Sequence, residues 1–132
     1  MSATFHDDDA CPCGSGIRYG GCCGRLHDGF AADTADALMR SRYSAYVLGR
    51  VDYLLGTWHP RTRPARADLA PNPATRWLGL TIRRHLQTGP DTAIVEFVAR
   101  SKTGGASAVR LHETSRFERE GGVWRYVDGD LH

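Results

Sequence analysis

The pair Cys11-Pro12-Cys13 and the pair Cys22-Cys23 constrain this chain more than any other feature. Every cysteine of the 132-residue sequence lies within these thirteen positions, in the pattern Cys-x-Cys-x8-Cys-Cys. Four soft thiolates offered by one short segment suit a tetrahedral zinc ion. Gly14, Gly16, Gly20 and Gly21 between the pairs let the backbone double back and turn amide N–H groups toward the sulfurs. Two disulfides are the alternative, but they need an oxidising compartment. Met1 to Ala10 is polar and acidic, without the apolar run of a signal peptide. A bond between the neighbours Cys22 and Cys23 would also be strained. The expectation is therefore zinc held by Cys11, Cys13, Cys22 and Cys23. Four sulfurs leave no open coordination position, so the ion is structural. His27 stays outside the ligand set for the same reason.

The first thirty residues hold few large apolar side chains and cannot bury a core by themselves; metal binding then becomes folding energy. Residues 1–10, with His6-Asp7-Asp8-Asp9, read as a flexible tail, 11–30 as the metal-binding segment and 31–132 as the main domain. That domain contains all three tryptophans and most of the Leu, Val and Ile, enough for one core. No apolar run approaches the roughly 20 residues of a membrane span, so a cytoplasmic protein is expected. The formal charge of +2 is too small for a dedicated nucleic-acid binder, whose basic excess is normally plain.

Asp33 or Thr34 can cap a helix running to about Leu48 and stopping at Gly49. Its apolar face gathers Ala35, Leu38, Met39, Ala45 and Tyr46, with Arg42 in the middle and Arg40, Ser41 and Ser44 outside. A guanidinium there needs an acid or a bound anion to meet it. A second helix spans about Arg50 to Trp58 and is ended by His59-Pro60. From Trp77 the period becomes two. Strands are expected at 77–87, 92–102, 106–119 and 123–128, turning at Gly89-Pro90, Gly104-Gly105 and Gly121-Gly122.

In the third strand Glu113 has the apolar parity, which suggests that it pairs with Arg42. A two-residue loop at Gly121-Gly122 sets Phe117 opposite Tyr126 and Ser115 opposite Asp128. Glu113, Tyr126 and Asp128 then share the face toward the helices. The order of elements gives an α+β cone, with helices across the concave face of a curved antiparallel sheet.

Two resemblances follow from these residues. Cys11-Pro12-Cys13-Gly14-Ser15-Gly16 with Cys22-Cys23-Gly24 resembles the SEC-C motif of the bacterial preprotein translocase ATPase. That likeness implies zinc and contacts with a protein or ribosomal partner. Residues 38–46, Thr57-Trp58-His59-Pro60, Trp77-Leu78-Gly79-Leu80, Phe97-Val98-Ala99-Arg100, Ser115-Arg116-Phe117 and 124–129 together resemble the YchJ-like family of bacterial proteins. This second likeness implies a SEC-C motif joined to a domain similar to nuclear transport factor 2 (NTF2), a conical fold that often encloses a pocket and often forms a homodimer.

The leading expectation is a non-catalytic cytosolic adaptor. Its zinc knuckle, with Arg18, Arg25 and an exposed Tyr19, meets a protein or ribosomal partner, and the cone supplies a dimerising or ligand-holding body. The competing expectation is a small-molecule binder or an isomerase or dehydratase working in the cone. Arg42, Tyr46, Trp58, His59, Glu113, Tyr126 and Asp128 would line its pocket, and Arg42 would grip a small anionic ligand.

Overall fold

The computed structural model describes residues 5–69 and 72–132. Three helices, α1 (Cys23–His27), α2 (Ala35–Leu48) and α3 (Val51–Gly56), precede four strands. The strands are β1 (Thr75–Gly89), β2 (Thr92–Thr103), β3 (Val109–Glu120) and β4 (Val123–Leu131). They form one antiparallel sheet in chain order. Among the described residues no helix is long and apolar enough to cross a membrane.

Helix α2 has the boundaries its caps dictate. The Thr34 hydroxyl accepts the Ala37 N–H at 3.3 Å, and the helix ends on Gly49 at φ 71°, in the left-handed region. α3 stops earlier than its apolar spacing suggests because the sheet captures the following residues. Trp58 and Tyr126 form a parallel bridge, His59 N–H donates to the Tyr126 carbonyl at 2.7 Å, and Tyr126 N–H donates to the Thr57 carbonyl at 2.9 Å.

The apolar side of α2 lies on the concave face of the sheet. Leu38, Met39 and Tyr43 meet Val95, Phe97, Ala99, Phe117 and Trp124, all buried. Ser41 and Ser44 are fully buried too, although they lie off that face. Ser44 looks toward the cysteine segment, its Oγ 3.7 Å from the Cys11 sulfur, and Ser41 toward α3, its Oγ 2.7 Å from the Tyr53 hydroxyl, so α2 is covered beyond its apolar face as well. Small hydroxyl side chains allow the close approach, and Ser41 satisfies its own oxygen by donating to the Leu38 carbonyl at 2.7 Å.

The Gly121-Gly122 turn has the expected two-residue loop, with both φ values positive (57° and 80°) and Phe117 opposite Tyr126. Beyond that pair the expected register fails. A bulge sets Arg116 opposite Asp128 and Ser115 opposite Gly129, with Val127 as the extra residue. Asp128 is thereby moved to the outer face, where its carboxylate accepts from Arg116 Nε at 2.5 Å.

The expected flexible tail is also corrected where it is described. Residues 5–10 clasp the knuckle: Ala10 bridges to Arg18, Tyr19 N–H donates to the Asp9 carbonyl, and Phe5 packs edge-on against Tyr19 at 5.0 Å. Residues 1–4 of that tail lie outside the described residues.

Candidate metal centre and the cavity of the cone

The doubled-back segment brings the four cysteines together. Their Sγ atoms all lie within 4.8 Å of one another, so the cluster could hold one metal ion. Cys11, Cys13 and Cys23 are buried and Cys22 is half-buried, with Cys13 and Cys22 sulfurs 3.7 Å apart. Hydroxyl groups surround them: Ser15 Oγ is 3.1 Å from the Cys22 sulfur and Ser44 Oγ is 3.7 Å from that of Cys11. Hydrogen bonds from Cys11 and then Cys23 to its thiolate push the Cys13 pKa far down, and the same crowding pushes that of Cys23 up. Four thiolates side by side would repel one another, and a bound cation is what would allow them all to ionise.

The knuckle is docked along α2. Arg40 donates to the Cys13 carbonyl at 3.1 Å. His27 is a buried bridge between the two parts, its Nδ1 2.5 Å from the Tyr19 hydroxyl and its Nε2 2.8 Å from the Ser41 carbonyl. Tyr19, expected to be exposed, is 7% accessible, covered by Phe5 and His27.

On the other side of α2 the cone holds a cavity of about 250 Å³. Of the seven residues expected there, Arg42, Tyr46, Glu113 and Tyr126 line it. Trp58, His59 and Asp128 do not.

The family model for the YchJ middle NTF2-like domain matches residues 34–129, most of the chain. The chain belongs to the YchJ-like family. It is 56% identical over 120 residues to a UPF0225 protein of Xanthomonas campestris pv. campestris, covering 91% of this chain and 93% of that one. It is 58% identical over 123 residues to a UPF0225 protein of Methylibium petroleiphilum, covering 92% and 88%. Among solved structures it is similar to a SEC-C motif containing protein from Rhodopseudomonas palustris, with TM-score 0.81, 34% identity, and 94% and 99% of the two chains covered. A SEC-C motif containing protein from Psychrobacter arcticus gives TM-score 0.78, 30% identity, and 96% and 84% coverage.

Within this YchJ-like cone the expected Arg42–Glu113 ion pair does not form. Arg42, 2% accessible, turns Nη1 to the Leu54 carbonyl at 2.9 Å and to Thr57 Oγ1 at 2.7 Å. Its guanidinium lies over the rings of Trp58 and Tyr126, 4.9 and 4.5 Å from their centroids. Trp58 therefore serves the cavity from behind. The cation has found a helix C-terminus and two aromatic faces in place of an acid.

Glu113 Oε1 instead accepts from the Ser115 hydroxyl at 2.9 Å and the Tyr126 hydroxyl at 3.1 Å. Burial, and then the neighbouring Glu113, push the Tyr126 phenol pKa well up, so it remains a proton donor. Burial likewise raises that of Tyr46.

His59 is on the far side of β4. Its Nδ1 accepts the Arg61 N–H at 3.0 Å, which puts the ring proton on Nε2, 2.6 Å from Glu120 Oε1. Residues absent from the expected lining are Met39, Tyr43, Trp77, Phe97, Ala99, Leu111 and Ser115. The alternating parity of 109–117 points to Leu111 and Ser115, which lie either side of Glu113. The aromatic walls read only as core.

Proposed function

We propose that this protein is a non-catalytic adaptor: a zinc-folded knuckle meets a protein or ribosomal partner, and the NTF2-like cone is the body that carries it. The observation behind this reading is the closed thiol cluster. Its Cys13–Cys22 sulfur separation of 3.7 Å is close to the roughly 3.8 Å edge of a tetrahedron with Zn–S of about 2.3 Å. All four positions are taken by sulfur, so the ion supports structure and activates no water.

The outer surface of the knuckle suits a partner better through apolar than through tyrosine contacts. Ile17 and Phe30 are 53% and 63% accessible, and they flank a groove also lined by Cys22, Arg25 and Leu26. Arg25 lies over the Phe30 ring at 5.2 Å. Apolar side chains beside a cation fit a partner surface that is apolar with an acidic rim.

Removing residues 1–30 would strip one covered side of α2, so point substitutions make the better test. Affinity capture from native extract with Ile17→Asp, Phe30→Asp should lose the partner that the parent protein retains. Elemental analysis should return one zinc per chain in both. An unchanged partner set in the double variant would overturn the proposal.

A further inference from the structure

We propose that the cavity of the cone binds a small organic cation, a substituted ammonium group of about the size of choline. The site goes beyond the adaptor reading and does not depend on it. Five aromatic side chains line the cavity: Tyr43, Tyr46, Trp77, Phe97 and Tyr126. Tyr43 and Tyr46 both pack against Trp77, with centroids 5.8 and 5.7 Å apart, which fixes the rings as a wall. Aromatic faces carry negative quadrupole density, and a cluster of them around one carboxylate is the chemistry that recognises alkylated ammonium. The volume of about 250 Å³ limits the occupant to a small molecule.

Glu113 supplies the carboxylate. Ser115 and Tyr126 both donate to Oε1, and no protein group among the described residues donates to Oε2. The strand opposite makes way for this side chain. A Cβ at Gly129 would collide with the Glu113 carboxyl group, so glycine there lets the acid lie across β4.

The cationic member of the lining is already engaged. Arg42 donates to Leu54 and Thr57 and is stacked by Trp58 and Tyr126, leaving its charge spread over a helix end and two rings. An anion entering the cavity would meet Glu113 first. The sign of ligand expected from the isolated Arg42 is thereby reversed. Tyr46, Trp77, Leu111, Glu113 and Tyr126 are all half-buried, so these side chains form the accessible part of the lining.

The test is a titration of the intact, metal-loaded protein, followed by NMR of the Trp77 indole and Leu111 methyl signals. Choline and phenethylammonium should give saturable shifts. The neutral isostere 3,3-dimethylbutanol should bind about tenfold more weakly, the loss expected when the charge is removed from an aromatic and carboxylate site. Glu113→Gln keeps an acceptor for Ser115 and Tyr126 and should weaken choline binding by a similar factor. Leu111→Trp, which fills part of the cavity and leaves Glu113 in place, should abolish the shifts. Equal binding of the neutral isostere, tighter binding of phenylacetate, or no saturable shift at millimolar choline would each overturn the proposal.

Discussion

In the knuckle the buried side chains are three cysteines, Tyr19 and His27; in the cone they are Val95, Phe97, Phe117, Trp124 and their neighbours. The first set is polar or ionisable and buries little apolar area of its own. The second set loses water-exposed apolar area and needs nothing else. Yet the two are continuous, because Cys11, Cys13, Tyr19 and Cys23 pack into the same cluster as Leu38, Phe97 and Phe117. α2 is the wall they share. A cysteine-rich part and an apolar part can therefore pack as one unit through a shared helix that carries small, hydrogen-bonded side chains.

Removing the metal is the strongest way to break that comparison. A structural zinc contributes about 10–16 kcal/mol in small peptides at neutral pH, comparable to a whole domain's stability of about 5–15 kcal/mol. Chelation, or Cys23→Ser, should unfold the knuckle and also lower the melting temperature of the sheet. If amide exchange shows the knuckle opening alone, with the protection of β2 and β3 unchanged, the two parts are independent. Phe117→Ala probes the other side. At 1% accessibility the truncation should cost about 3–5 kcal/mol by denaturant titration, with zinc content retained at one per chain.

The joint between the parts should respond to acid. Burial, then Arg50, holds the His27 pKa below its ordinary value, and the ring is neutral between Tyr19 and Ser41. An unfolded chain takes up that proton near pH 6.5, so below this pH it binds more protons than the fold does. The His27 contribution is complete above about pH 6.5 and is lost as pH falls toward the folded value. Its slope is at most about 1.4 kcal/mol per pH unit. Denaturant titrations at stepped pH should show this slope in the parent and not in His27→Gln. The smallest effect is expected at the start of the wall. Thr34→Ala removes the cap on Ala37 N–H and should cost about 1 kcal/mol, read as a small drop in melting temperature with both parts intact.

Local chemistry made much of this readable from the residues. The caps of α2, the Gly121-Gly122 turn and the cysteine spacing each depend on neighbours in the chain. Glu113 stood out by parity and Arg42 by its place on an apolar face, and both line the cavity. What stayed hidden depends on distant packing. Arg42 has no acid because α3 ends beside it with a free carbonyl, which periodicity does not reveal. Ser41 and Ser44 look like a solvent face until a second body is set against them. Asp128 changed sides because one extra residue, Val127, fits into β4 without any glycine or proline to announce it.

The bridge that ends α3 also fixes what stands behind Arg42. Tyr126 exchanges main-chain hydrogen bonds with Thr57 and His59, and the Thr62 hydroxyl donates to the Val127 carbonyl at 2.5 Å. These bonds stitch the residues that follow α3 to the last strand. The support behind Arg42 is therefore set by main-chain bonds that do not depend on which side chains follow α3.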